Sequence, residues 1–217
     1  MKYKLVSLNV GKPETIQTDK GELESAFRKT PVTRPVFLNR LNFDGDEQAD
    51  KKNHGGKDKA VCLYPAQHYP HWEKEYGMDF PYPAFGENIT VDGIEESSTC
   101  IGDKFQLGEA ILQVTEPRQP CYIIGRTHGI SDFPARVTQS GYTGFYLRVI
   151  QEGVITAGDQ MQCIEKDPHQ VTVEEVNDIK YHDRENKYKI ERVTKVGALA
   201  EGLRHSLLER LEELETN

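Results

Sequence analysis

The sequence has few cysteines, and their spacing excludes the common thiol motifs. The four are Cys62, Cys100, Cys121 and Cys163. None belongs to a CxxC pair, so zinc ribbons and thioredoxin-like redox motifs find no support. The histidines also lack the spacing to the cysteines that a structural zinc site requires. Free thiols without a pairing pattern are typical of a reducing compartment, and we expect a cytoplasmic protein.

Excess positive charge and long apolar runs are also missing. The formal net charge is −8, which argues against nucleic-acid polymers as partners, because proteins that bind them need a basic face. The first residues lack the apolar core of a signal peptide, and no run approaches the length of a membrane-spanning helix. The composition therefore predicts a globular protein with no membrane or nucleic-acid partner, although a small anion can still bind in a local basic pocket.

Residues 1–166 form the first predicted domain and have a mainly β pattern. Short segments alternate between apolar and polar residues, and glycines and Asp or Asn clusters separate them. Many short strands with regular turn signals predict a β-barrel or sandwich. The strand candidates include residues 3–10, 33–38, 60–64, 105–107, 110–115, 144–150 and 160–164. The clear helix in this region is predicted over residues 65–76, where aromatic residues recur at helical spacing.

Residues 167–217 form the second predicted domain and have a helical pattern. Thr172 followed three residues later by Glu175 matches a capping box, which predicts a helix start. A leucine-rich last helix is predicted over residues 198–214, and a short helix precedes it around residues 187–193. Three small helices cannot bury a large core alone, so we expect them to dock on the barrel or on a second subunit. The fold class is therefore mainly β with an appended α region. We expect a homodimer, with the helices supporting substrate channelling or assembly rather than chemistry.

Cys121 occupies a position where a merely structural cysteine is seldom found. It follows a predicted strand at the end of a run that contains Pro117 and Pro120, and prolines favour stiff, extended backbone. Arg118 lies three residues upstream, and a nearby cation favours the thiolate, which is the form that binds metals or attacks electrophiles. The alternative is a buried cysteine that acts as a small apolar side chain. From these residues alone, both interpretations stay open.

A lysine-rich turn with paired glycines is the second candidate. Gly55 and Gly56 stand between His54 and Lys59, and glycines permit a close backbone approach to a ligand. Successive backbone N–H groups in such turns bind anions, so a phosphate group would be well served here. The alternative is a solvated turn on a free surface.

Glu87 and Asn88 are the third candidate. They follow a glycine and precede an alternating segment, so both side chains could face a cleft at the start of a strand. A carboxylate near a thiol can act as a proton donor or base. The alternative, a hairpin turn capped by Asn88, is equally compatible with the pattern.

In this order the motifs resemble the MOSC domain, the C-terminal domain of molybdenum cofactor sulfurases. The segments that carry the resemblance are residues 54–61, 85–88, 101–103, 116–121 and 144–159. The Pro-Arg-x-Pro-Cys run is the specific element, whereas the glycine turns alone are not. The helical region looks like the three-helix domain that follows MOSC in stand-alone bacterial proteins of the YiiM type. Together the two resemblances cover nearly the whole chain.

The resemblance implies a β-barrel-like fold that binds the pyranopterin molybdenum cofactor, with Cys121 as the molybdenum ligand. It also implies reduction of N-hydroxylated compounds, including N-hydroxylated purine bases. Electrons would come from an external redox protein, since the sequence has no ferredoxin-type cysteine spacing and no GxGxxG motif. His54 and Glu87 become candidates for proton delivery. The predicted cofactor-binding residues are Gly55, Gly56, Lys59, Asn88, Arg118 and Cys121.

Other functions remain compatible with these residues. The protein could carry or sense the cofactor, or a sulfur-bearing part of it, without turnover. It could instead be a cysteine-dependent hydrolase in which Cys121, His54 and Glu87 form a triad-like set. A pure interaction module built on the helical region leaves the Pro-Arg-x-Pro-Cys run unexplained.

Overall fold

A computed structural model describes residues 1–18, 21–49 and 55–216 of the chain. The strands are β1 (Lys2–Val10), β2 (Glu14–Thr18), β3 (Gly21–Ser25), β4 (Thr30–Pro31), β5 (Val36–Leu38), β6 (Val61–Pro65), β7 (Ile89–Asp92), β8 (Lys104–Leu107), β9 (Ala110–Pro117), β10 (Phe145–Gln151), β11 (Gly153–Ile155) and β12 (Gln160–Glu165). The α-helices are α1 (Tyr69–Tyr76), α2 (Tyr122–His128), α3 (Phe133–Ser140), α4 (Val173–Tyr181), α5 (Lys187–Thr194) and α6 (Glu201–Thr216). Short 3₁₀ turns at Lys57–Lys59 and Ala66–His68 precede β6 and α1.

Seven of the described strands close into a β-barrel. Neighbours follow the order β12, β8, β9, β10, β6, β7 and β1, and β1 pairs again with β12. The β6–β7 pair is parallel, and the other pairs of the ring are antiparallel. β4 pairs with the end of β1 outside the ring. Closure leaves the ring without a free edge, and it confirms the predicted mainly β, barrel-like fold.

Alternation along β6 and β10 separates an inner from an outer face. The residues of these strands in the barrel core are Val61, Leu63, Phe145, Leu147 and Val149. Successive side chains of a strand point to opposite faces, so the residues between them lie on the outside of the barrel. Cys62 stands opposite Tyr146 in the β6–β10 register, and Tyr146 stands opposite Glu116 of β9. The pairing of three strands therefore places these side chains next to one another on one outer surface.

The described part of the barrel region holds three helices, where the sequence pattern predicted one. α1 begins at Tyr69 rather than at residue 65, because the 3₁₀ turn comes first. α2 and α3 were not predicted; they have 7 and 8 residues, too few for apolar periodicity to stand out. They pack on an aromatic cluster that contains Trp72, Phe85 and Phe133. This cluster supports the segment that follows Cys121.

The C-terminal helices dock on the barrel of the same chain. The Thr172 side chain caps α4 by accepting a hydrogen bond from the Glu175 N–H at 3.0 Å, which confirms the predicted helix start. The Glu175 carboxylate pairs with Arg192 instead of completing the capping box. Leu207 is fully buried, whereas Leu208 is exposed, so one face of α6 packs into the core. Buried residues of α4, α5 and α6 join the barrel residues in one continuous core. The connection between β12 and α4 contains the predicted boundary at residues 166 and 167, and the division into two domains stays a prediction.

Among the described residues, no helix combines the length and apolar character that crossing a membrane would need.

Candidate functional site

The chain around Cys121 has the extended form that its prolines predict. β9 ends at Pro117, and the next residue, Arg118, donates its backbone N–H to the Gly144 carbonyl at 3.0 Å. Cys121 has φ −107° and ψ 150° and stands directly before α2. Its side chain is half-buried. The thiol is therefore held between a barrel strand and a helix start, and it is accessible.

A cavity of about 200 Å³ brings four of the predicted site residues together. These are Lys59, Asn88, Arg118 and Cys121. Residues that were not predicted complete the wall, among them Phe27, Lys29, Cys62 and Tyr146. Two of them, Cys62 and Tyr146, carry a signal in the sequence: they stand between core residues of β6 and β10, so both face the outer side of the barrel. Without the register of these strands, that signal does not show that they meet.

Arg118 supplies the unusual charge of this cavity. It is only 7% exposed, yet in the described part of the chain its guanidinium makes no hydrogen bond and no ion pair. It lies over the Phe27 ring, with 5.9 Å from the guanidinium carbon to the ring centroid. Buried cations are ordinarily paired, because removing a charge from water costs free energy. A guanidinium on a cavity wall with its donors unused is suited to binding an anion.

The two thiols of the cavity differ in character. Burial raises the pKa of Cys62 to about 11, although the Arg118 charge acts in the opposite direction. Cys62 therefore stays a protonated thiol at neutral pH and is a poor metal ligand. Burial also raises the pKa of Tyr146, which keeps its phenolic proton. Of the two thiols, the half-buried Cys121 is better placed to bind a metal or react.

Asn88 and Lys29 hold the cavity wall in shape. The Asn88 side-chain oxygen accepts the Cys62 N–H at 3.1 Å, and its amide donates to Asp46 Oδ2 at 2.9 Å. Lys29 forms a buried ion pair with the other oxygen of Asp46. Both ends of the Asn88 side chain are thus hydrogen-bonded within the protein, and this geometry favours a structural role in the cavity wall. Its predicted contact with a cofactor stays a prediction.

Glu87 lies outside the set of residues that line the cavity. Its carboxylate is fully buried and accepts hydrogen bonds from the Tyr69 and Thr90 hydroxyls, both at 2.6 Å, and from the Phe85 N–H at 3.1 Å. Burial raises the pKa of Glu87, and these hydrogen bonds oppose the shift. The structure therefore does not bring Glu87 to Cys121 as a contact pair, and proton delivery by Glu87 stays a prediction.

The glycine turn lies beside the cavity rather than in its wall. Gly55 and Gly56 are not lining residues, but the Lys59 N–H donates to the Gly56 carbonyl at 3.0 Å, so the turn leads directly into the wall. Gly56 has φ 98° and ψ 167°, a conformation that only glycine adopts readily. The prediction for His54 lies outside the described residues.

Comparison with known families decides what kind of barrel this is. The MOSC domain family matches residues 50–162, just over half of the chain. The chain belongs to the MOSC domain family. A second match, to the YiiM-like, 3-alpha helix domain, covers residues 171–214 and so spans α4, α5 and most of α6. Both resemblances inferred from the motifs are confirmed.

Two relatives match nearly the whole length of the chain, and a third matches part of it. YflK of Bacillus subtilis is 44% identical over 213 residues, which are 98% of this chain and 96% of that protein. The crystal structure of YiiM from Geobacillus stearothermophilus has 36% identity and a TM-score of 0.83, and the match covers 96% of this chain and 99% of that one. A protein named reductase from Gibberella moniliformis is 33% identical over 150 residues, 67% of this chain but 27% of that protein.

The buried carboxyl of this MOSC domain leads to a pH-dependent prediction. Glu87→Gln loses the acceptor that faces the Phe85 N–H, and at acid pH we expect a loss of about 1–3 kcal/mol in the free energy of unfolding. Burial raises the folded-state pKa of Glu87 above its ordinary value of 4.5. The contribution of Glu87 to the free energy of unfolding is therefore fully present below pH 4.5, and it is lost as the pH rises through the folded-state pKa. The variant does not titrate here, so its deficit should shrink towards neutral pH. Denaturant unfolding of wild type and Glu87→Gln from acid to neutral pH measures this change. A difference in the free energy of unfolding that stays constant with pH would contradict a raised pKa at Glu87.

Proposed function

We propose that the protein is a molybdenum-cofactor-dependent reductase of N-hydroxylated compounds, with Cys121 as the protein ligand of molybdenum. The observation that carries the proposal is the accessible Cys121 thiol on the wall of a cavity that also contains the unpaired guanidinium of Arg118. A thiolate is a suitable soft ligand, and the cation suits an anionic group beside it. Membership of the MOSC family and the reductase name of the fungal relative support the same chemistry.

The donor set fits a metal that arrives with most of its own ligands. Among the described residues, no group of three or more His, Cys, Asp or Glu side chains could hold a bare ion. A single thiol at Cys121 therefore suits a pterin-bound metal better than a free one. Arg118 and Lys59 lie in the same wall and are suited to the anionic parts of that group, including its phosphate.

The bound group would supply the redox centre, and the chain's own residues would supply binding and protons. Cleavage of the N–O bond in an N-hydroxylated amine consumes two electrons and two protons, and it releases the amine and water. The electrons come from an external redox protein. Tyr146 and Cys62 line the cavity and both keep their protons, because burial raises the pKa of each group. Tyr146 is the stronger candidate for donating a hydrogen bond to the departing hydroxyl, since a phenol is the better donor.

The test is reduction of an N-hydroxylaminopurine by protein purified from a host that makes the cofactor, with a chemical reductant as the electron source. We expect molybdenum and pterin in equal amounts with the protein, and turnover that requires both. Stoichiometric cofactor with no turnover on any N-hydroxylated substrate would favour a carrier or sensor. Full activity of a metal-free protein in ester or amide hydrolysis would favour the cysteine hydrolase and overturn the proposal.

The glycine turn provides a prediction for cofactor binding. Gly56→Val places a β-branched residue at φ 98°, and we expect a strain of about 1–3 kcal/mol that shifts the turn leading to Lys59. Among the described residues, no atom lies within 4 Å of a Cβ at this position, so the fold should survive and cofactor occupancy should fall. Gly158→Val is the matched control, because Gly158 has φ 94° and equally open surroundings, and its turn does not lead into the cavity wall. Wild-type occupancy in folded Gly56→Val would rule out a role for this turn.

A further inference from the structure

The turn that carries Lys59 into the cavity is joined to the C-terminal helices. This turn, Lys57–Lys59, lies between the glycine pair and β6. Its middle residue, Asp58, points away from the cavity wall, whereas Lys59 belongs to that wall. Whatever holds Asp58 therefore constrains the direction in which the next side chain leaves the backbone.

The Asp58 carboxylate caps the last helix of the chain. Asp58 Oδ2 accepts the backbone N–H of Glu201, the first residue of α6, at 3.1 Å. The start of a 16-residue helix has unsatisfied N–H groups and a partial positive charge, so a carboxylate there is stabilising. The Asp58 side chain is only 15% exposed, which reduces competition from water.

Arg148 and Thr115 extend the same junction. Arg148 of β10 forms an ion pair with Asp58 Oδ1 at 2.9 Å and also donates to the Ala198 carbonyl at 2.8 Å. The Thr115 hydroxyl of β9 donates to the Asp58 carbonyl at 2.7 Å, and the Thr115 carbonyl accepts the Ala200 N–H at 3.1 Å. The turn, two barrel strands and the start of α6 thus meet at one residue.

The Lys59 side chain is held in place by Glu116 and Tyr146, unlike an exposed lysine on the surface. Its ammonium lies 3.7 Å from Glu116 Oε1 and 5.5 Å from the centre of the Tyr146 ring. Its side chain is 28% exposed, whereas that of Lys57, two residues earlier, is 72% exposed. Burial raises the pKa of Glu116, and the charges of Lys59 and of Lys180 in α4 lower it to a smaller extent, so a second helix also acts on this pair.

We propose that Asp58 is a positioning residue through which the C-terminal helices hold Lys59 on the cavity wall, so that these helices complete its anion-binding surface. The identity of the anion as the cofactor rests on the proposed function; the positioning itself does not. The sequence led us to expect that the helices support substrate channelling or assembly rather than chemistry, because every predicted site residue precedes residue 122. The contacts of Asp58 assign them a part in the site.

The experiment compares full-length Asp58→Ala with Asp58→Asn and with Thr172→Ala. Thr172→Ala is the matched control, because it also removes a helix cap of the C-terminal region but does not touch the Lys59 turn. An amine-acetylating reagent and mass spectrometry measure how fast Lys59 reacts relative to Lys57 in the cofactor-free protein. We expect slow reaction of Lys59 in wild type and in Thr172→Ala, and acceleration by roughly three- to tenfold in Asp58→Ala, because reactivity reports local exposure. Asp58→Asn keeps an oxygen for the cap but loses the ion pair with Arg148, so it should accelerate Lys59 by a smaller factor than Asp58→Ala does.

Unchanged Lys59 reactivity in folded Asp58→Ala overturns the proposal, and so does equal acceleration in Thr172→Ala. If Asp58→Ala does not fold, Arg148→Met decides, since it removes the bridge from Asp58 to Ala198 and leaves the cap in place. It should accelerate Lys59 by a smaller factor, and no acceleration contradicts the proposal. Molybdenum and pterin content, measured on the same variants, should fall most in Asp58→Ala and stay at the wild-type level in Thr172→Ala. If the wild-type protein binds no cofactor, the proposed function is refuted. The role of Asp58 is still decided by the acetylation rates, which are measured without cofactor.

Discussion

Cys121→Ser should abolish molybdenum retention and reductase activity while leaving the fold intact. Serine is nearly isosteric with cysteine, but its hydroxyl does not ionise near neutral pH and is a poor substitute for a thiolate ligand. The side chain is half-buried at a helix boundary, so we expect the free energy of unfolding to change by less than about 1 kcal/mol. Metal analysis, pterin fluorescence and denaturant unfolding of the purified variant give the three readouts.

Cys163→Ser is the matched control for this substitution. Cys163 is also half-buried, but it lies in β12 and is not a cavity residue. Cys62 also lies in a strand, β6. The structure makes it a less neutral choice, since Cys62 lines the cavity. If Cys62→Ala removes the metal and Cys121→Ser does not, the ligand has been assigned to the wrong thiol.

Arg118→Met should remove the cofactor without unfolding the protein. In the described part of the chain the guanidinium has no hydrogen bond or ion pair to lose, and methionine can fill the space of its aliphatic stem. A charge-assisted contact with an anion contributes about 1.5–3 kcal/mol, so affinity should fall by roughly ten- to a hundredfold. Cofactor occupancy after dialysis, together with the free energy of unfolding, separates a binding effect from a folding effect.

Arg126→Met tests whether any positive charge near Cys121 is enough to retain the cofactor. Arg126 lies in α2, close to Cys121 in sequence, and its guanidinium stands over the Tyr122 ring at 5.1 Å, but it is not a cavity residue. Its loss should leave occupancy close to that of wild type. Equal losses in the two variants would mean that general attraction, rather than the buried guanidinium, retains the anion.

The sequence correctly predicted those features that depend on interactions between residues close together in the chain. Proline geometry predicted the extended segment before Cys121, because each ring constrains its own φ and the preceding residue. The capping box predicted the start of α4, because Thr172 and Glu175 interact within one turn. α2 and α3 were not predicted. These short helices are stabilised by packing on the aromatic cluster rather than by the helix-forming pattern of their own residues.

The sequence by itself determined that this chain is a mainly β protein with C-terminal helices and that Cys121 follows a rigid extended segment. Only the tertiary structure decided which side chains share the cavity. The β6–β10–β9 register places Cys62 beside Tyr146 and Tyr146 beside Glu116, and the helix cap at Asp58 joins residues far apart in the chain. Alternation shows which face of a strand a residue occupies, but not which strand lies next to it. Strand pairing and helix docking depend on burial summed over the whole core, so no short segment encodes them.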